Sequence, residues 1–358
     1  MLKSGGWTRT AGRVALGAGV GLLALGGGLL GLTPTGRYLA RAGWEEGRIL
    51  LARRPIEALV ADSLVSAPIR AKLRLVLEAR AFAEDSLGLP AGESFTTFTD
   101  LGRDTLVLVL SGAERDTLAP VTWWFPIVGR VPYKGFFDVD EARAAVDALA
   151  TRGLDTYLRP SPAFSTLGWF DDPLLSTTLA ADSVDLVNTV IHELTHNRYY
   201  APGGAVFNES FANFVGARGA ERFFRARGDS TRADRAVARW ADERRLAAFW
   251  RTLAGALDSA FAAHPGSAER AARLVARDTV YALARRRLVD SIAPAFETID
   301  PRYAQRVALD NAAVLARRVY LSDLEGFEAT YAAAGRDLRL AITRQIDEHR
   351  KARRQARR

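Results

Sequence analysis

The chain of 358 residues has no cysteine, so disulfides, zinc ribbons, thiol nucleophiles and a lipidated N-terminal cysteine are all excluded. Histidine is scarce, with four residues in all, and there is a single methionine. Any bound metal must therefore be held by His, Asp or Glu. Acidic residues are outnumbered, 41 against 49 basic, for a formal charge of +8. That excess sits at the two ends. Residues 350–358 carry six basic and no acidic side chains, residues 1–32 carry Lys3, Arg9 and Arg13 alone, and the remainder holds 40 basic against 41 acidic residues. A body so nearly neutral has no basic face for nucleic acid, which is not expected as a partner.

Long apolar runs are also rare, with one exception. Val14 to Leu32 is uncharged for 19 residues and follows the three N-terminal basic residues; at 1.5 Å per residue it nearly spans a hydrocarbon core of about 30 Å. The positive-inside rule keeps the N-terminus in the cytoplasm and sends the body across the membrane. The expectation is a signal anchor over residues 1–36, single-pass in a bacterial inner membrane with an extracytoplasmic body. A cleaved signal peptide, with Ala40-Arg41-Ala42 as its cleavage site and a periplasmic product, and a buried apolar segment are the alternatives.

Residues 37–349 read as one α+β domain. A helical pattern over Arg37 to Leu87 is punctuated by Pro55 and Pro68. Strand-like character follows at Leu106 to Leu110, in two aromatic pieces within Val121 to Phe137, and at Thr156 to Ser165, with a helix predicted between Asp138 and Leu154. Beyond Asp182 the pattern is helical throughout. Trp123, Trp124 and Trp169 are expected in the core, or as pocket wall if Trp169 flanks the site. Residues 350–358 read as a solvated basic tail, with His349 beside it on the surface.

Two of the four histidines lie in His192-Glu193-Leu194-Thr195-His196, on a segment whose Val187, Val190, Ile191 and Leu194 form one apolar face. Positions i and i+4 share a helix face, so both imidazoles can meet one Zn²⁺ while Glu193 stands beside its water. Pro202-Gly203-Gly204 then turns the chain into a second helical pattern opening at Asn208 and Glu209. Helix, turn and helix return Glu209 to the histidines as a third ligand and leave a fourth position for water. Glu193 is the expected general base and acid. Asn213, one turn after Glu209, can orient a ligand histidine, although a surface or capping role suits it equally; Asn208 reads as the N-cap of the ligand helix.

These motifs resemble those of the bacterial predicted zinc aminopeptidases of the gluzincin group. The likeness rests on His192 to His196, on Asn208-Glu209-Ser210-Phe211-Ala212, on Ser165 to Leu174, and on Phe125 to Gly129 with Tyr133 to Phe137. It implies a zincin-like fold with a small N-terminal sheet region and a helical C-terminal half. One zinc per chain would sit at His192, His196 and Glu209, with Glu193 as base. Many members look like lipoproteins, and a chain without cysteine must attach to the envelope differently.

Alanyl aminopeptidases of that group carry a G-A-M-E-N segment whose acid holds the substrate amine, and this chain lacks it. Ser165 to Asp172 occupies the interval; Asp171 or Asp172 could bind an amine, or could serve the turn before Pro173. Exo- and endo-cleavage both remain open. A tyrosine from the helical half, Tyr320 or Tyr303, is the candidate donor to an oxyanion. The leading expectation is a membrane-anchored zinc metallopeptidase, an aminopeptidase acting on peptides or proteins. The rival is a zinc-stabilised envelope scaffold or chaperone without useful turnover.

Overall fold

The computed structural model describes residues 33–125, 129–161 and 173–356. The chain divides into two compact units after Ala52. In the first, helix α1 (Pro34–Leu51) is capped by the Thr33 hydroxyl and carries an Arg41–Glu45–Arg48 ion-pair chain. The expected anchor, Val14 to Leu32, lies outside the described residues; among those described, no helix is long and apolar enough to cross a membrane.

The second unit, from Arg53 onward, is α+β and mostly helical. Strand β1 (Arg54–Pro55) leads through a short turn of helix started by Pro55 to α2 (Ala67–Leu87), where Pro68 sits in the first turn. A proline there costs no hydrogen bond, because the first N–H groups of a helix have no partner inside it. Next come β2 (Thr97–Thr99), β3 (Val107–Ala113), β4 (Trp123–Phe125), β5 (Gly129–Val131) and β6 (Lys134–Phe136). Helix α3 (Val139–Thr151), β7 (Asp155–Ser161) and β8 (Leu174–Leu175) complete the sheet region. The strands form two three-stranded sheets, β1-β2-β8 and β6-β3-β7, and a β4-β5 hairpin. The aromatic stretch 121–137 thus supplies three strands where the pattern suggested two. Trp124 is 58% exposed on the hairpin, away from the core position expected of it.

The antiparallel β3–β7 pair fixes the register that matters for the site, with Val109 opposite Arg159 and Ser111 opposite Tyr157. Side chains alternate along a strand, so Leu158 packs into the cluster under α3 while Asp155, Tyr157 and Arg159 share the other face.

From Ser183 the chain is helical, as its sequence predicts: α4 (Ser183–Arg198), α5 (Ala205–Ala226), α6 (Ser230–Ala262), α7 (Arg270–Arg287), α8 (Asn311–Tyr320), α9 (Leu324–Ala333) and α10 (Leu338–Gln355). One core cluster gathers α2, α4, α5, the start of α6, α9 and α10, with Phe211, Phe214, Phe224 and Trp240 fully buried. A second joins the C-terminal half of α6 to α7 and α8 around Phe249, Trp250 and Leu257. Helix α10 continues to Gln355, so 350–355 do not fray as expected of a tail. Arg350 lies over the Tyr199 ring and Arg353 donates to the Pro202 carbonyl at 2.8 Å. His349 stacks on Phe207 at 3.6 Å and meets the Tyr199 hydroxyl at 3.0 Å, which takes it off the open surface.

Candidate active site

Helix α4 is fixed at its start by Asp182, whose carboxylate accepts from the Val184 and Asp185 amides and pairs with Arg239. The Arg239 guanidinium, helped by these amides, holds the Asp182 carboxyl far below the usual range. Val187, Val190, Ile191 and Leu194 are all fully buried, and that apolar face sets the rotation of the helix. His192, Glu193 and His196 are consequently half-buried on a neighbouring face.

The chain then turns through Ala201 to Gly204, with Gly203 at φ +73° in the left-handed region that favours glycine. Helix α5 begins earlier than its sequence suggested, at Ala205, with Gly204 as N-cap. Asn208 is therefore not the cap. It is buried one turn into the helix and clamps the loop, donating to the Ala201 carbonyl at 3.0 Å and accepting from the Ala201 amide at 2.9 Å. Both polar groups of a buried amide are satisfied, and the turn between the two helices is closed.

Close approach of α4 and α5 depends on Gly216. A Cβ there would overlap Asn188 Oδ1, lie 2.8 Å from the Asn188 carbonyl oxygen and 3.2 Å from His192 Cβ. With the helices this close, Glu209 Oε2 is 3.6 Å from His192 Nε2, and Glu209 Oε1 is 3.7 Å from His196 Nε2. The two imidazoles stand edge to face at 5.1 Å. One donor atom from each of the three residues lies within 4.8 Å of the others, a spacing that can hold a metal ion.

Electrostatics favour a cation at this point. Burial and the neighbouring His192 charge push His196 down to about 4, leaving its lone pair available at neutral pH. Burial would raise Glu209, but His192, His196 and Arg159 outweigh it and keep the carboxyl ionised. Burial would lower His192, yet the facing Glu209, the Glu193 charge and the accepting side-chain oxygen of Asn213 together raise it. The upward direction at His192 has its cause in the Glu209 and Glu193 carboxylates, the same negative charge that a metal ion would meet. His196 Nδ1, by contrast, is buried without a partner among the described residues.

Asn213 thus touches His192, and its amide also donates to the Tyr320 carbonyl at 2.9 Å. Ser210 adds a second tie, donating to the Val319 carbonyl and accepting from the Ser322 amide. These contacts bring the end of α8 against the ligand helix, and with it Tyr320. The Tyr320 phenol is raised by burial and by the Glu209 and Glu193 charges against the pull of Arg159, so it stays a protonated donor at neutral pH. Arg159 Nη2 donates to its hydroxyl at 3.3 Å and the guanidinium lies over its ring.

Tyr303 is not brought here: it packs against Phe296 in the second cluster, with Arg317, Tyr157 and Arg285 as its electrostatic neighbours. Asp171 and Asp172 lie outside the described residues. Two side chains at the site were not singled out by sequence reasoning. Tyr133, half-exposed, has its phenol raised by burial and by Tyr320, Glu209 and Tyr200; the Tyr133 to Phe137 segment gave it a signal. Arg159 had none beyond a place in a short strand.

A helical His-x-x-x-His pair, a carboxylate from the next helix and an adjacent glutamate define a candidate hydrolytic metal centre. Residues 37–358 match the family described as "Putative aminopeptidase", and the chain belongs to that family. No curated protein and no solved structure matches the chain.

Proposed function

We propose that the protein is a zinc-dependent metallopeptidase of the gluzincin type that removes residues from the N-terminus of peptides. The convergence of His192, His196 and Glu209 beside Glu193 carries this reading. Held by those three residues, zinc supplies the Lewis acidity that lowers the pKa of water and polarises a carbonyl. Glu193, next to His192 in sequence and half-buried, takes the proton of the attacking water and returns it to the departing amine. Tyr320, a neutral phenol fastened to the ligand helix through Asn213, donates to the oxygen on which negative charge develops. The family match supports peptide bonds as the substrate class. The basic flank and apolar run before residue 33 support an extracytoplasmic body anchored by its N-terminus.

The test is zinc content of the purified protein together with hydrolysis of aminoacyl and internally quenched peptide substrates, before and after chelation. One zinc per chain, chelator-sensitive release of N-terminal residues, and a Glu193→Gln variant that keeps zinc but loses turnover are expected. Cleavage of the quenched peptide alone would make it an endopeptidase. Zinc without turnover of either substrate would reduce the metal to a structural role, and failure to bind zinc would end the reading.

A further inference from the structure

Two adjacent tyrosines follow the second candidate ligand, His196, and the structure uses them differently. Tyr199, the C-cap of α4, packs edge to face on Phe207 at 6.0 Å, shares its hydroxyl with His349 at 3.0 Å and has the Arg350 guanidinium over its ring. It fastens the loop to α10. Tyr200 makes none of these contacts. It is 56% exposed, and among the described residues its ring meets one aromatic neighbour, His196, edge to face at 6.3 Å.

A single exposed tyrosine elsewhere on the surface would need no explanation. This one is placed by its contact with a metal-binding histidine. The start of α5 repeats the pattern, because Val206 is also exposed and precedes Glu209 by three residues, which puts the two on one helix face. Apolar surface therefore stands open beside His196 and again one turn before Glu209, at the end of the two helices where the loop joins them. The chain from 199 to 208 carries no charged side chain, although a quarter of all residues are charged. The arginines that approach this loop from α10 are occupied elsewhere, Arg350 on Tyr199 and Arg353 on the Pro202 carbonyl.

A peptide bond held at His192, His196 and Glu209 has a side chain one residue away on each side, and an extended residue spans only about 3.3–3.6 Å. One of those side chains must pass close to the Tyr200 ring. Aromatic rings attract at centroid separations of about 4.5–7 Å, and an uncharged wall gives a charged group nothing to pair with. We infer that Tyr200 is a specificity-determining residue whose exposed ring receives a large apolar side chain, aromatic above all, on the substrate residue flanking the scissile bond. This rests on the metallopeptidase reading of the same site.

The experiment uses two peptide series, Xaa-Ala and Ala-Xaa, with Gly, Leu, Phe and Lys as Xaa, on the zinc-loaded full chain and on Tyr200→Ala and Tyr200→Phe. At one of the two positions wild type should favour Phe over Gly by about 10- to 100-fold in kcat/KM, with Leu between them. Tyr200→Ala should bring that ratio close to one. Tyr200→Phe, which keeps the ring, should preserve it. A wild type that shows no preference at either position overturns the inference, as does one that prefers Lys to Phe. A preference that survives in Tyr200→Ala overturns it too, and so does an equal loss on every peptide in either variant, because the residue then serves the fold or the chemistry and not the side chain.

A second arm does not need turnover. The Phe and Gly peptides of each series, with the scissile carbonyl reduced to methylene, are titrated calorimetrically against the three proteins at matched zinc content and circular dichroism. Tighter binding of the Phe analogue that is lost in Tyr200→Ala and kept in Tyr200→Phe supports the subsite even if no peptide is cleaved, in which case only the peptidase reading fails. Cleavage without side-chain preference keeps the peptidase reading and ends this one. Equal binding of the Phe and Gly analogues to wild type in both series overturns the inference whatever the activity.

Discussion

Asn213 donates its amide to the Tyr320 backbone carbonyl at 2.9 Å while its side-chain oxygen faces His192 and favours the protonated ring. One side chain on the ligand helix thus orients a metal donor and places the phenol proposed to stabilise the transition state. Asn213→Ala should weaken zinc affinity by about 10- to 100-fold, the usual cost of losing a group that orients a ligand histidine. Turnover at saturating zinc should also fall, because Tyr320 loses its tie. A competition titration against a calibrated chelator, followed by kinetics at full occupancy, separates the two effects. Full activity at saturating zinc would mean that Ser210 alone suffices to place α8.

Tyr320→Phe removes the donor and leaves the ring under Arg159. If the hydroxyl acts on the oxyanion, kcat should drop by roughly 10²–10³ with KM little changed. Zinc content should stay at the wild-type level, since Tyr320 is no ligand. A change confined to KM would instead assign the hydroxyl to substrate binding. Tyr303→Phe, packed against Phe296 in a different cluster, should leave kcat alone.

The helix crossing invites a steric test. Gly216→Ala puts a methyl group against Asn188 and within 3.2 Å of His192 Cβ, so α4 and α5 must separate or the new residue must strain its neighbours. Overpacking of this kind costs about 1–3 kcal/mol. The expected outcome is a lower denaturation midpoint together with weaker zinc binding, since Glu209 and the two histidines belong to the separating helices. Gly255, in α6, has open space around it, and Gly255→Ala should be neutral or stabilise by up to about 1 kcal/mol through helix propensity.

What could be read from the sequence and what could not divides along physical lines. The i, i+4 histidines, the apolar face of α4 and the turn at 202–204 are local patterns, whereas the distance at which Glu209 meets the histidines is set by the close packing of α4 on α5 at Gly216. The position of Asn208 was misread because an asparagine just before a helical run looks like a cap, whereas the real turn ends at Gly204 and the side chain reaches back to Ala201. Arg159 and Tyr320 are separated by 161 residues, and only the packing of α8 on β7 joins them. No spacing rule records such a contact. The C-terminal basic run was read from charge alone; its packing depends on Tyr199 and Pro202, 151 positions before Arg350 and Arg353 respectively.

That packing changes what a truncation should do. Arg350 and Arg353 lie against the loop that joins the two ligand helices, so removing residues 350–358 should loosen it, even though each contact is partly exposed and worth little alone. A fall of a few degrees in the melting temperature is expected, with faster amide exchange over 199–204. Unchanged exchange would return the segment to the role of a solvated end.

Asp310 caps α8 by accepting from the Ala313 amide, and burial, together with the Asp155 charge, pushes its carboxyl up to about 6 against the Ala313 bond and Arg277. The sign of its contribution follows from linkage. Between the unfolded value near 3.9 and about 6, the folded state binds more protons at this site than the unfolded state, so the contribution to stability declines as pH rises through that window and is flat above it. Asp310→Asn keeps an oxygen acceptor for the cap and removes the titration. Near pH 4 the variant should match wild type; at pH 7 it should be more stable, by up to about 3 kcal/mol for a carboxyl raised to about 6. Urea denaturation of both proteins at the two pH values checks this. A variant less stable at pH 7 would show that ionised Asp310 is held by Arg277 strongly enough to repay its burial, and Tyr320 at the far end of the same helix would then depend on that charge.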